Sequence, residues 1–276
     1  MNPQGKVVLI SGAREGIGAA CAREFLRRGA RLSLIDISPE PPDYPDGGAL
    51  WTIGDITKPE VREAAVTSSI EKLGSVDILI NNAGTGLYSS PSATPPALAE
   101  RMFAVNVSAA VGLAGLVIPH MRARRSGAII NIESIGSLVS LPWCAMYCAS
   151  KHALHAYTRS LHHELKRDGI LVMSVIPGIV NTRFRDHVLG GIVPAGVASL
   201  KRAIEPEDLA RSIASALVRE KREIFNPRIG RLFWALELCL PGLMDLYIRR
   251  CWTPPLDEAL PAGSSEKPTW VSRAGL

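Results

Sequence analysis

Lys6 to Gly18, KVVLISGAREGIG, constrains this chain more than any other stretch. Val7, Val8, Leu9 and Ile10 make a short apolar run, the pattern of a strand buried on both faces. Gly12, Gly16 and Gly18 follow, and AACAREFLRRG then sets Ala20, Cys21, Phe25 and Leu26 on one helical stripe that stops at Gly29. Strand, glycine turn and helix in that order make the start of a dinucleotide site. The glycines let the backbone turn tightly and approach a pyrophosphate, whose charge meets the amides of the helix N-terminus. Glycine triplets also occur in tight turns of other α/β proteins; the position between a strand and a helix selects the nucleotide reading.

The chain is long enough, at 276 residues, for one large core, and 47% apolar with 21% charged residues is a globular balance. The net charge of +5 is modest. Its densest basic runs, Arg122 to Arg125 and Arg249 to Arg250, fall at predicted helix ends, where cations suit the dipole. They argue for solvated helix ends and against a nucleic-acid surface. Five cysteines form no CxxC pair, and no His or Cys cluster has zinc spacing, so no metal site is expected. His162 and His163 are adjacent and point in different directions on a helix. The odd cysteine count fits a reducing cytoplasm. The N-terminus enters the first strand at once, leaving no room for a signal peptide. No uninterrupted apolar stretch is long enough to predict a spanning helix.

RLSLID reads as a second strand ending at Asp36. An acid there accepts hydrogen bonds from both ribose hydroxyls and repels a 2′-phosphate, or else it caps a loop. SPEPPDYPDGG is a proline-rich surface loop. ALWTIGDIT is a third strand with Asp55 at its end, followed by a helix over 58–73 with Thr57 as N-cap. VDILINNAG is a fourth strand whose small terminal residues leave a crevice at its carboxyl end. After a loop over 87–96 comes a long apolar helix from Ala97, in which Asn106 is the one buried amide, either satisfied locally with a kink or holding a water. GAIINIES is strand five, ending at Ser134. Tyr147 and Lys151 stand at i and i+4 of the next helix and share one face. An ammonium near a phenol lowers its pKa, which suits a tyrosine to general acid/base work. ILVMSVIPGIVNT is strand six, Glu205 to Glu220 a helix with Pro206 in its first turn, and EIFNP a last short strand. This alternation predicts an α/β fold.

Over roughly residues 5 to 227, SGAREGIG, DIT, NNAG, the Asn of VNV, Ser134 and YCASK together resemble the single-domain branch of the short-chain dehydrogenase/reductase family. The resemblance implies a Rossmann-type, doubly wound sheet of about seven parallel strands with helices on both faces. It implies NAD(P)-dependent hydride transfer, with Tyr147 exchanging the proton, Lys151 lowering its pKa, Ser134 bonding the substrate oxygen, and Asn106 bending its helix and anchoring a relay water. The implied cofactor residues are Gly12, Arg14, Glu15, Gly16, Ile17 and Gly18 in the turn, with Asp36 on the ribose. Asp55 and Ile56 would meet the adenine, and Asn82, Ala83 and Gly84 line the groove. Tyr147 and Lys151 also touch the cofactor, while Pro177, Gly178 and Thr182 surround the nicotinamide. Two residues depart from the pattern: Ser11 stands for Thr, and Glu133 for a second Ser. Asp36, Glu15 and Ile37 favour NAD over NADP, with Arg14 the one opposing charge. Dimers or tetramers are usual for the resemblance.

The domain reading is 1–227 for the catalytic domain with a substrate lid over 183–204, an apolar helical extension over 228–252, and a loose tail over 253–276. The extension carries basic flanks around a proline break and fits three roles: lying on a membrane surface, covering the substrate mouth, or packing on another subunit. Similar tails in retinoid- and steroid-acting members lead to the expectation of a lipophilic substrate. The rival readings are a catalytically silent nucleotide-sensing protein and a membrane-surface protein; the glycine spacing and chain length disfavour a sugar epimerase. A cytoplasmic protein, peripheral at the membrane, is the expected location.

Overall fold

Val7–Ser11 is buried along its whole length and forms the central strand β1, as an apolar run covered on both faces should. In a computed structural model that describes residues 1–39, 49–90, 94–190 and 203–251, seven parallel strands make one sheet. They are β1, β2 (Arg31–Asp36), β3 (Ala49–Ile53), β4 (Ile78–Asn81), β5 (Gly127–Ile132), β6 (Ile170–Pro177) and β7 (Glu223–Asn226). Their spatial order is β3-β2-β1-β4-β5-β6-β7. The winding reverses between β1 and β4, so a crevice opens beyond the carboxyl ends of those strands. Most of the proline-rich loop, most of the lid and the tail from residue 252 lie outside the described residues.

The helices are α1 (Gly16–Arg27), α2 (Pro59–Leu73), α3 (Pro96–Phe103), α4 (Ala109–Arg124), α5 (Ala145–Leu165), α6 (Pro206–Val218), α7 (Gly230–Cys239) and α8 (Pro241–Cys251). The two-residue period of the strands sorts them into two layers. Val8, Ile10, Leu32 and Leu34 pack with Cys21 and Phe25 of α1 and Leu209 and Ile213 of α6. Leu9, Ile35, Leu79 and Ile129 pack with Leu113 and Val117 of α4 and Leu161 of α5. The sheet is therefore covered on both faces.

Four local expectations change. Lys58, not Thr57, caps α2, because the Thr57 hydroxyl donates instead to Asp55 Oδ1 at 2.8 Å. β5 ends at Ile132, and Ser134 opens a short 3₁₀ turn, accepting from Gly136 N at 3.1 Å. The apolar helix is two helices joined by a π turn, Ala104–Ser108, with Asn106 inside it. Through that turn Pro96–Arg124 runs for 29 residues with a mean hydropathy of 1.9 in its most apolar stretch, which is long and apolar enough to span a membrane. Its Ala109, Leu113, Val117 and Met121 are buried against the sheet, which is how a core helix of an α/β domain spends such a face.

Glycines at positions of close approach set the turn geometry. A Cβ on Gly18 would overlap the Gly12 carbonyl oxygen, a backbone atom that cannot swing aside. Gly115, exposed on α4, has nothing near its Cβ position. Gly115→Ala should therefore stabilise the protein by about 0.5–1 kcal/mol through the unfolded chain. Gly18→Ala should destabilise it by about 1–3 kcal/mol. Urea midpoints of the two variants, read at unchanged slope, check the opposite signs.

Candidate active site

The crevice is walled by the glycine turn. Gly12 has a φ of +65°, and its amide donates to Ile35 O at 2.8 Å. A Cβ there would stand 2.9 Å from Ala83 Cα, so the turn and the end of β4 meet backbone to backbone. Asn82 fastens the contact: its Nδ2 donates to Ser11 O at 3.0 Å and Gly12 O at 2.8 Å. The Ser11 hydroxyl in turn accepts from Asn82 N and Ala83 N, both at 3.1 Å, which is why a hydroxyl is needed at that position. Asp36 leaves β2 with Oδ2 accepting from Arg14 N at 2.9 Å and Oδ1 from Ser38 N at 3.0 Å. Ile17 packs on the core behind the turn.

The opposite rim comes from the end of β6. Gly178 N donates to Asn226 O at 2.8 Å, and a Cβ on Gly16 would stand 3.2 Å from Thr182 Cγ2. Thr182 caps the turn Arg183–His187, its hydroxyl accepting from Phe184 N at 3.3 Å. Glu15 bridges the two rims, 2.8 Å from His187 Nε2 and 3.7 Å from Arg183 Nη1. Asp55 is engaged more tightly than the sequence suggests: Oδ1 accepts from Thr57 N and its hydroxyl, Oδ2 from Arg101 Nη2 at 2.8 Å. Burial opposes its ionisation, but the Thr57 and Arg101 hydrogen bonds hold its carboxyl below the usual range. Arg101 was invisible in the sequence, where it is one more charge on a helix. Ile56 is buried beside Ile35 in the core.

Of the four proposed catalytic residues, Asn106 and Lys151 meet beside Gly84, and Ser134 and Tyr147 beside Gly136. A Cβ on Gly84 would lie 3.3 Å from Asn106 Oδ1 and 3.6 Å from Lys151 Nζ. Asn106 is satisfied locally: Oδ1 accepts from Thr85 N at 2.8 Å, and Nδ2 donates to Thr85 O at 2.9 Å and Ser150 Oγ at 3.0 Å. It also lines a small cavity of about 10 Å³, with Ser11 and Asn81 among its walls, which is room for one water. A Cβ on Gly136 would lie 3.4 Å from Tyr147 Cε1 and 3.5 Å from Ser134 Oγ, which places the serine hydroxyl beside the tyrosine ring, while Ser137 only steadies Ser134, accepting its backbone amide at 3.2 Å. Lys151 Nζ donates to Ile132 O at 2.9 Å.

Desolvation pushes the Tyr147 hydroxyl well above the usual phenol range, with the Ser134 hydroxyl pulling the other way and Tyr88, Cys148 and Cys144 adding to the rise. Burial also brings Lys151 down to about 8, opposed by the Glu133 carboxylate. Burial acts on both groups alike, driving each toward its neutral form.

Behind the site, Asn81 Nδ2 donates to Asn131 Oδ1 at 2.8 Å and Asn131 Nδ2 to Thr158 Oγ1 at 2.9 Å, tying β4, β5 and α5 together. Glu133 lies against His155 and Ser174. His155 was missed, although it follows Lys151 by one helical turn on the same face.

In front of Tyr147 the walls are apolar. Leu87, Leu98, Met102, Met146 and Leu189 pack about it, and the Phe184 ring meets it edge-on at 6.1 Å. Leu189 N donates to Gly86 O at 2.8 Å, so the described part of the lid lies on the segment after β4. Met244 and Ile248 of α8 are buried on Val139, together with Ile135 from the turn that Ser134 opens. The C-terminal helix pair thus covers the loop beside the site, and its outer face leaves Leu232, Leu238, Leu240, Leu243 and Leu246 exposed.

A family model described as short chain dehydrogenase matches residues 6–189. An uncharacterized oxidoreductase of Thermotoga maritima is 34% identical over 224 residues, covering 79% of this chain and 84% of that protein. A 2-(S)-hydroxypropyl-CoM dehydrogenase of Xanthobacter autotrophicus is 32% identical over 223 residues, covering 75% and 88%. A solved short-chain dehydrogenase of Sphingobium yanoikuyae in complex with NADPH is 28% identical, with a TM-score of 0.72 over 87% of this chain and 95% of that one. A match of this extent, over two thirds of the residues, shows the family: the chain belongs to the short-chain dehydrogenase/reductase family.

Proposed function

We propose that this oxidoreductase transfers hydride reversibly between a nicotinamide dinucleotide, NAD in preference to NADP, and a lipophilic secondary alcohol or ketone. The placing of Ser134 beside Tyr147, with Lys151 one turn beyond the tyrosine on the same helix, is the observation that carries the reading. The dinucleotide fits the residues present: Gly12, Gly16 and Gly18 leave a cradle that side chains would fill, and Asp36 stands at the end of β2. When bound, the nicotinamide supplies or accepts the hydride.

The chain's own residues handle the proton and the charge. Ser134 and Tyr147 offer two hydroxyls to one substrate oxygen, where charge develops as the carbonyl is reduced. Tyr147 gives that oxygen its proton in reduction and takes it back in oxidation. Its raised pKa keeps it protonated at neutral pH, the form that serves a carbonyl substrate. Lys151 is mostly cationic at neutral pH and would offset charge on the tyrosine oxygen while holding the nicotinamide ribose. Leu87, Met102, Met146 and Phe184 support an apolar substrate, since a polar one would leave its own groups unpaired among them.

Asp36 supports the NAD preference: a fixed carboxylate at the ribose position repels a 2′-phosphate. A second reading concerns location. The leucine-studded outer face of α7 and α8, with Arg249 and Arg250 at one end and Arg228 at the other, supports peripheral contact of an otherwise cytoplasmic protein with an anionic membrane.

Tyr147→Phe should lower turnover by about 10²–10⁴-fold while NADH still quenches protein fluorescence normally; retained turnover would remove Tyr147 from the chemistry. Asp36→Ala should shift the NADPH-to-NADH affinity ratio toward NADPH by about tenfold, some 1.4 kcal/mol, in fluorescence titrations. An unchanged ratio would show another residue to be the selector. Wild-type protein should sediment with phosphatidylserine vesicles and less with phosphatidylcholine vesicles. The Leu243→Asp, Leu246→Asp double variant should stay in the supernatant with both.

A further inference from the structure

Glu133 is the departure from the family pattern that the proposed mechanism leaves without a task. It is only 2% exposed. Ser174 Oγ donates to Oε1 at 2.9 Å, and His155 Nδ1 lies 2.7 Å from Oε2. Its backbone amide donates to Val175 O at 2.8 Å, so main chain and side chain are both tied to β6. A buried carboxylate is costly even when paired, and an apolar residue would fill the space without that cost. The charge itself is therefore the feature that needs a reason.

Lys151, His155 and Thr158 recur at i, i+4 and i+7 along one face of α5. That face reads the end of β5 residue by residue: Lys151 bonds the Ile132 carbonyl, His155 the Glu133 carboxylate, and Thr158 the Asn131 amide. Lys151 thus sits one turn from the Glu133–His155 pair. The titratable groups meeting at this corner are Tyr147, Lys151 and His155 from α5 and Glu133 beyond β5; β6 contributes the Ser174 hydroxyl and the π turn the Asn106 amide. Burial of Lys151 favours loss of its proton, and Glu133 acts against that loss.

We infer that Glu133, clamped by His155 and Ser174, is a positioning residue whose fixed negative charge keeps Lys151 cationic and so sets the pH range in which Tyr147 exchanges its proton. The last clause rests on the oxidoreductase reading; the effect on Lys151 does not. The sign follows from charge, since a carboxylate and an ammonium share the corner where α5 meets the end of β5. Without the carboxylate, burial acts unopposed, Lys151 loses its proton at lower pH, and the alkaline edge of activity moves down.

The test is an NMR pH titration of protein carrying ¹³C-labelled lysine, with the Lys151 signal identified by its loss in Lys151→Met. In Glu133→Gln the Lys151 midpoint should fall by about 1 unit or more. Ser174→Ala removes a hydrogen bond but keeps the charge, and should leave the midpoint in place. His155→Gln keeps the carboxylate and should leave the midpoint in place or raise it. An unmoved midpoint in Glu133→Gln overturns the inference. So does a fall in Ser174→Ala or His155→Gln, which would mark a merely structural role; these two variants keep the inference open to refutation even if Glu133→Gln does not fold. A pH–rate profile on a panel of apolar ketones, run alongside, separates the two claims. A Lys151 shift in Glu133→Gln, beside a wild type that turns over none of the panel, would retain the charge role and sink the apolar-ketone reading.

Discussion

The knot between Asn82 and the end of β1 is the interaction on which the rest of this molecule depends. Beyond the last ladder pair, Ile10 with Ile80, the two strands part at the switch point, and their backbone groups need other partners. The Asn82 amide supplies two donors to Ser11 and Gly12, and the Ser11 hydroxyl accepts two amides in return. Only residues without bulk allow this approach, since a Cβ on Gly12 would press on the Ala83 backbone. The knot holds the crevice open at a fixed width and sets the glycine turn at its edge.

A second constraint acts through α5. The helix turns a polar face inward, and Lys151, His155 and Thr158 on it each find a partner at or just beyond the end of β5. This arrangement fixes Tyr147 relative to Ser134, because both are carried by elements locked together one layer below. It also desolvates them. The same burial that raises Tyr147 brings Lys151 down to about 8, so a buried site of this kind tends to lose the charges that its chemistry uses. Glu133 restores one of them.

The C-terminal helices link the site to the surface. Met244 and Ile248 pack on Val139 beside the turn that Ser134 opens, while the opposite faces of α7 and α8 present leucines to solvent. The helix pair thus covers the loop beside the site with one face and leaves an apolar face outward, and Pro241 opens the second helix where the first ends.

What the sequence by itself determined is local. A buried strand, a glycine turn and a helix are written in consecutive residues, and Tyr147 with Lys151 is a pair at helical spacing, so both could be read directly. The strand-and-helix alternation was legible for the same reason, and it led to the parallel sheet. What only the tertiary structure decided joins residues far apart in the chain: Asp55 with Arg101, Glu133 with Ser174, Glu15 with His187. No local period encodes such pairs. The direction of the Tyr147 shift belongs with them, because the sequence shows which charges are near but only packing shows how much water has been removed.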